Sequence, residues 1–215
     1  MSSARGRFIS VEGIEGVGKS SNIDVLVKCI QSAGFDVVQT HEPGGTPLSA
    51  DIRNILMHRG DEPIPDIAEL LLMFAARSLN VNNNIRPALG AGKWVVCDRF
   101  TDSSRAYQSA GRGLPMEAVN QMAEWVHGDL WPDLTILLDA PVEVGMARAG
   151  NRSEPDRIEK EENAFFARVR DCYLELAANE PDRFVVIDTT RDLPDVQADV
   201  VSLAQRMINN FNKNI

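Results

Sequence analysis

The sequence predicts an α/β fold built on a parallel sheet of about five strands, with helices on both faces. Three observations carry this. Short apolar runs at 8–11, 37–38, 94–97, 135–138 and 184–187 are separated by spacers mostly long enough for a helix. The runs are continuous rather than alternating, as expected of strands covered on both sides. A glycine-rich turn, Gly13-x-x-x-x-Gly18-Lys19-Ser20, joins the first run to a helix-like segment. Right-handed crossovers then bring the strand C-termini, and with them the ligand crevice, to one edge of the sheet.

The elements follow in order. FISVE reads as the first strand and NIDVLVKCIQSAG as the helix after the glycine turn. The run at 37–38 leads into HEPGG, and Arg53 falls on the next helix-patterned segment. ELLLMFAAR has helical apolar spacing. VVCD ends a third strand at Asp98-Arg99, and Ser104 and Gln108, four residues apart, share one face of the helix that follows. LDAP ends a fourth strand at Asp139, and the run at 184–187 supplies the fifth. No repeat, low-complexity tract or linker divides the chain, so residues 1–215 are expected to form one domain. The most irregular stretch is RAGNRSEPDR at 148–157, which gathers Arg148, Arg152 and Arg157 around Gly150 and Pro155.

Composition limits what the chain can bind. Twenty-two Lys and Arg stand against 31 Asp and Glu, a net charge of -9. That argues against broad binding to nucleic acid or to an anionic membrane, so any anionic ligand must be held by a local cluster of positive groups. The three cysteines form no CxxC pair, and the three histidines make no metal-ligand pattern. With no signal-peptide-like stretch and no apolar run approaching a membrane span, a cytoplasmic protein is expected.

The glycine turn is a P-loop, which makes the predicted fold one of the P-loop nucleoside triphosphate hydrolase type. Glycines let successive backbone N–H groups of Gly13, Ile14, Glu15, Gly16, Val17 and Gly18 turn inward around a phosphate, and the helix N-terminus behind Lys19, Ser20 and Ser21 adds positive potential. Lys19 is placed to reach the outer phosphates of ATP, and Ser20 to ligate Mg2+. No NKxD or DxxG element accompanies the loop, which lowers a GTPase reading. Across the crevice, Asp98 can hold a water on Mg2+ while Arg99 grips a second phosphate. Asp139 competes for the metal role, and the arginine beside Asp98 favours the first.

Taken in order, GIEGVGKSS, HEPGGTPLSADIR, LLLMFAARS, VVCDRFTDSSRAYQ with GRG, ARAGNRSEPDRIEKE and YLELA resemble the bacterial thymidylate kinase family from about residue 7 to 190. The resemblance implies an ATP- and Mg2+-dependent dTMP kinase, usually a homodimer, with a mobile lid at about 146–160. It implies roles for a second set of residues. Glu15 would contact the deoxyribose 3′-hydroxyl, and Glu42 and Pro43 would start the monophosphate loop. Arg53 and Arg99 would hold the dTMP phosphate, and Arg77 would bond a thymine carbonyl. Ser104 and Gln108 would read the base edge, and Tyr107 would crowd the 2′ position. Relatives carry an aromatic against the thymine four residues before Arg77. Met73 stands there in this chain with Phe74 one place on; Phe74 is assigned to the base as the aromatic, with Met73 the alternative. A one-residue shift turns a helical side chain by about 100°. His41 replaces a common arginine and receives no phosphate role, because a mostly neutral imidazole is no substitute for a guanidinium fork.

The P-loop residues between its outer glycines include no arginine. Phosphoryl transfer spreads negative charge over the moving group, and an added arginine there can be worth on the order of a thousandfold or more. The resemblance assigns that charge to the lid, with Arg148, Arg152 and Arg157 as the candidates.

Overall fold

The computed structural model describes residues 5–58, 62–150 and 157–213. Five parallel strands form one sheet in the order β2-β3-β1-β4-β5: β1 (Phe8–Glu12), β2 (Val37–His41), β3 (Trp94–Asp98), β4 (Leu134–Asp139) and β5 (Phe184–Asp188). Every expected apolar run is a strand, and each strand extends the run by one to three residues. The largest extension is in β2, where Gln39, Thr40 and His41 continue the pairing opposite Val96, Cys97 and Asp98. An edge strand is covered less completely, so it carries polar residues that a central strand excludes.

Side chains on the central strands alternate between two cores, as the period of two demands. Ile9 and Val11 of β1, with Trp94 and Val96 of β3, pack against helices α1 (Lys19–Ser32) and α9 (Leu193–Lys213). Phe8, Val95 and Cys97 point the other way, into a cluster with Val81, Ile85, Leu89 and Phe100. Several of those residues come from a continuous helical stretch. Helix α3 (Asp66–Asn80) runs through a π-helical turn, Val81–Ile85, into α4 (Arg86–Gly90). Both faces of the sheet are therefore covered, which accounts for the near-continuous apolar runs in the sequence.

Five other helices matter for the site. α2 (Pro47–His58) packs against α3. The short α5 (Thr101–Ser104) leads into a π-helical segment, Arg105–Gly111, and α6 (Met116–Val126) follows. Beyond β4 come α7 (Val142–Ala149) and α8 (Asn163–Asn179). Residues 151–156, with Arg152, lie outside the described residues. Of the expected lid at 146–160, the described parts are the end of α7, Gly150 and a turn at 157–160.

β1 and β3 are neighbours, yet the crossover after β1 runs to β2 on one side and the crossover after β3 runs the opposite way, to β4. A crevice opens at that switch point, at the C-terminal ends of the strands. The P-loop, the Glu42-Pro43 turn and the Asp98-Arg99 turn all follow strands that end there. Among the described residues, no helix is long and apolar enough to cross a membrane.

Candidate active site

The P-loop is shaped by backbone geometry that only glycine adopts easily. Gly13, Gly16 and Gly18 have φ of 138°, 73° and 89°. Space confirms the requirement at Gly16, where a Cβ would sit 1.8 Å from the carbonyl oxygen of Gly145 on α7. Gly145 returns the constraint, since its own Cβ would lie 2.6 Å from the Glu15 carbonyl oxygen. A glycine outside the motif thus lets α7 press against the loop. Ile14 and Val17 are buried and anchor the loop in the core, which leaves their backbones for a phosphate. Ser20 and Ser21 are exposed at the start of α1. Lys19 folds back onto the loop, its Nζ donating to the carbonyl oxygens of Gly13 at 3.3 Å and Ile14 at 3.2 Å. Burial, reinforced by the charge of Arg99, pushes its pKa down.

A cavity of about 320 Å3 joins the loop to the opposite wall, within the range of small-ligand sites. The residues around it include Glu15, Gly16, Gly18, Lys19 and Ser20 of the loop and its helix, together with Glu42, Pro43, Arg53, Met73, Arg77, Asp98, Arg99, Ser104, Tyr107 and Gln108. Residues separated by more than ninety positions, such as Glu15 and Gln108, therefore border one cavity.

Several of these groups already hold one another. Arg99 donates to Glu15 at 2.9 Å, and the Tyr107 hydroxyl donates to both oxygens of Glu15 at 2.9 and 2.8 Å. Arg99 also lies 4.8 Å above the Tyr107 ring. Its backbone has φ 70°, unusual for a side chain of this size; such conformations cost on the order of 1–3 kcal/mol and cluster at functional sites. Arg53 donates to the Pro43 carbonyl at 3.0 Å. Arg77 is buried and donates from each of its three nitrogens: Nε to Glu42 at 2.6 Å, Nη1 to Ser104 at 3.1 Å and Nη2 to the Phe100 carbonyl at 3.1 Å. Glu42 accepts from Asn80 as well, at 3.1 Å. Its placement is that of an anchor for Arg77 more than of a free ligand group. The Glu42-Pro43 peptide bond is cis.

Two aspartates competed for the metal role, and their partners separate them. Asp139 is gripped by Arg170 through two bonds of 2.7 and 2.9 Å. Asp98 borders the cavity and keeps a buried Oδ1 with no hydrogen-bond partner. An orphaned buried carboxylate oxygen demands a cation or a polarised water. With the Ser20 hydroxyl on the same cavity, the donor set is the hard-oxygen kind that suits Mg2+.

Phe74 does not reach the cavity, which corrects its assignment to the base. It is 0 % exposed, packed with Leu70, Val119 and Ala123 between α3 and α6, with the Arg77 guanidinium 4.5 Å above its ring. Met73 borders the cavity instead. The turn of about 100° per residue decides which of the two faces inward.

The described lid arginines also point elsewhere. Arg148 donates to the Thr189 carbonyl at 2.9 Å. Arg157 donates to the Leu56 carbonyl at 2.8 Å and to Glu69 at 2.5 Å. Neither borders the cavity, because each finds a carbonyl or a buried carboxylate outside it. Ile158 and Glu159, next to Arg157, do border it.

Sequence reasoning gave no role to three groups that organise the site. Glu12, at the end of β1, is buried and accepts hydrogen bonds from the Phe100 amide at 2.7 Å, Ser103 at 2.6 Å and Tyr173 at 2.8 Å. Ser103 and Tyr173 in turn accept from Arg99, each at 3.3 Å. This chain of bonds fixes the arginine from behind. The signal available was an ionisable residue ending an otherwise apolar strand. Tyr173 sat within the YLELA segment without a task. Glu69, buried on α3, lies four and eight residues before Met73 and Arg77, on the face that carries them.

Burial and the charge of Asp102 push Glu12 up to about 7, despite the opposing bonds from Ser103 and Tyr173. A carboxyl raised in the fold favours folding when protonated. Its contribution is complete below about 4.5 and lost as pH rises through about 7. The unfolding free energy of the wild type relative to Glu12→Gln is therefore expected to fall by on the order of 3 kcal/mol between pH 4 and pH 8. Urea titrations across that range check it, and a pH-independent difference would contradict it.

One cradle for a phosphate chain thus faces arginines suited to a second phosphate across a single cavity, the layout of a P-loop phosphotransferase. Comparison with known proteins narrows this class. Residues 11–200 match the family model described as Thymidylate kinase. A thymidylate kinase from Alcanivorax borkumensis is 50 % identical over 202 residues, covering 94 % of this chain and 97 % of that one. One from Methylococcus capsulatus is 50 % identical over 203 residues with the same coverage. The crystal structure of thymidylate kinase from Ehrlichia chaffeensis superposes with a TM-score of 0.76 at 32 % identity, over 94 % of this chain and 99 % of that one. The chain belongs to the thymidylate kinase family.

Proposed function

We propose that this protein transfers the γ-phosphoryl group of ATP to dTMP, giving ADP and dTDP, by direct in-line transfer. The observation that carries the reading is a single cavity lined both by the P-loop with Lys19 and by Arg53, Arg77 and Arg99. Family membership supports the same assignment.

ATP binds with its phosphates against the P-loop amides and the N-terminus of α1. Lys19 leaves the carbonyls of Gly13 and Ile14 for the outer phosphates. Ser20 and Asp98 are the residues that would hold Mg2+, which when bound neutralises charge shared between the phosphates. On the acceptor side, Arg99 exchanges Glu15 for the dTMP phosphate, with Arg53 beside it. Glu15, freed from Arg99, accepts from the 3′-hydroxyl, and Tyr107 fills the space a 2′-hydroxyl would need. Met73 packs against the thymine, while Arg77 and Ser104 meet its edge. The chemistry then depends on position and positive charge, since little covalent work falls to the protein.

The lid supplies the charge that the P-loop lacks. Arg148, Arg152 and Arg157 are its arginines, and their closure over the phosphates excludes water that would compete for the phosphoryl group. The chain acts as one domain in the cytoplasm and forms a homodimer. Exposed apolar residues on three neighbouring helices support the dimer: Leu48 and Ile55 on α2, Ile67 and Leu71 on α3, and Trp125, 79 % exposed, on α6.

An ADP-release assay across dTMP, dUMP, dCMP, dGMP and AMP tests the substrate assignment. The expected result is the highest kcat/KM for dTMP. A better purine or cytidine acceptor would move the enzyme to another monophosphate kinase specificity.

A further inference from the structure

We propose that Glu69 is a specificity-determining residue, acting through Gln108: it fixes the side-chain amide of Gln108 so that the carbonyl oxygen, not the NH2 group, faces the cavity. This rests on the dTMP kinase reading and deepens it. Gln108 borders the cavity, and its Nε2 donates to Glu69 Oε1 at 2.8 Å. Both groups are buried. An amide can present either end to a ligand, and its partner decides which.

Glu69 makes the choice one-sided because it is held as an acceptor. Arg112 donates to it at 3.4 Å through Nε and 3.2 Å through Nη2, and Arg157 donates at 2.5 Å. Arg112 is itself tied to Glu161 at 2.5 Å. The bond from Gln108 and the two arginines outweigh burial and hold the Glu69 carboxyl below the usual range. An ionised carboxylate has no proton to give, so the Gln108 oxygen cannot turn toward it without loss. The NH2 stays on Glu69, and the oxygen is left for the ligand.

The consequence is a fixed hydrogen-bond acceptor at the base. Thymine carries an N–H at ring position 3, which can donate to it. Cytosine has an unprotonated nitrogen at the same position, and two acceptors facing each other repel. Sites whose buried polar groups are left unpaired reject the wrong ligand strongly. Selection against a cytosine monophosphate thus depends on a residue one shell behind the base. The carboxylate that sets it is the one that Arg157, at the end of the lid, also grips.

The test compares kcat/KM for dTMP and dCMP in the wild type, Glu69→Gln, Gln108→Met and the double variant. Glutamine at 69 offers either a donor or an acceptor, so the Gln108 amide is free to turn over. The dTMP-over-dCMP ratio is expected to fall at least about tenfold in Glu69→Gln, by a similar factor in Gln108→Met, and no further in the double variant. A merely structural role for Glu69 would lower stability and both rates together and leave the ratio unchanged; that outcome overturns the proposal. Additive effects in the double variant also overturn it. Should Glu69→Gln fail to fold, Gln108→Met alone decides, because an unchanged ratio there contradicts an oriented amide. A wild type without dTMP preference would remove the underlying reading, whereas a preference that survives both variants removes only this inference.

Discussion

Lys19→Ala is expected to lower kcat by on the order of a thousandfold or more, with the fold intact. Lys19 is the P-loop's own cation, and among the described residues its ammonium donates to the carbonyl oxygens of Gly13 and Ile14 through two long bonds. Those bonds hold the chain in place without holding the loop together. The loop's shape comes from the left-handed glycines, from Ile14 and Val17 in the core, and from the Gly16–Gly145 contact. Removing the amine should therefore leave the circular dichroism and melting behaviour close to those of the wild type. Phosphate charge would bring the ammonium back toward its ordinary pKa, which burial and Arg99 now depress. Near-normal turnover in the variant would remove Lys19 from the chemistry.

The second large effect belongs to Arg99. Arg99→Met should reduce kcat/KM for dTMP by on the order of a hundred- to a thousandfold, because a buried charge-assisted grip on phosphate is lost. KM for ATP should change by less than about threefold if Arg99 holds the dTMP phosphate, as proposed. Methionine keeps most of the side-chain volume, so the loss is chiefly of charge and hydrogen bonds. It also strips Glu15 of its ion pair and leaves Tyr107 as its partner. Rate profiles against each substrate separate the two ends of the cavity. An unchanged dTMP profile with weakened ATP binding would place Arg99 on the wrong nucleotide.

Strands were the easiest elements to read, because a sheet covered on both faces writes an apolar run for each strand. The polar ends of β2 were not legible, since their pairing with β3 depends on a neighbour in space. The P-loop was legible for a local reason: its phosphate cradle is made by backbone within eight residues. Sequence placed the acceptor-side residues in one cavity, yet it could not say which partners they hold before a ligand arrives. Arg77 on Glu42, and Arg99 on Glu15, are such pairings. Phe74 failed because one residue rotates a helical side chain from cavity to core. Glu12 and Glu69 were missed because an isolated carboxylate in sequence is usually a solvated charge. Only packing shows that both are buried, one behind the groups that hold Arg99 and the other against Gln108, Arg112 and Arg157. Asp98 was favoured over Asp139 by the arginine beside it, but that Asp139 is occupied by Arg170, more than thirty residues beyond it, shows only in the fold.

The central claim is a direct transfer between two nucleotides that lie end to end in one cavity. ATP labelled at its γ-phosphorus, incubated with the protein, Mg2+ and dTMP, tests it most directly. The label is expected in the β-phosphate of dTDP, with little free phosphate and none without dTMP beyond slow background. Release of labelled phosphate at a rate indifferent to dTMP, with no labelled dTDP, would contradict the account and leave a nucleotide-hydrolysing switch in its place.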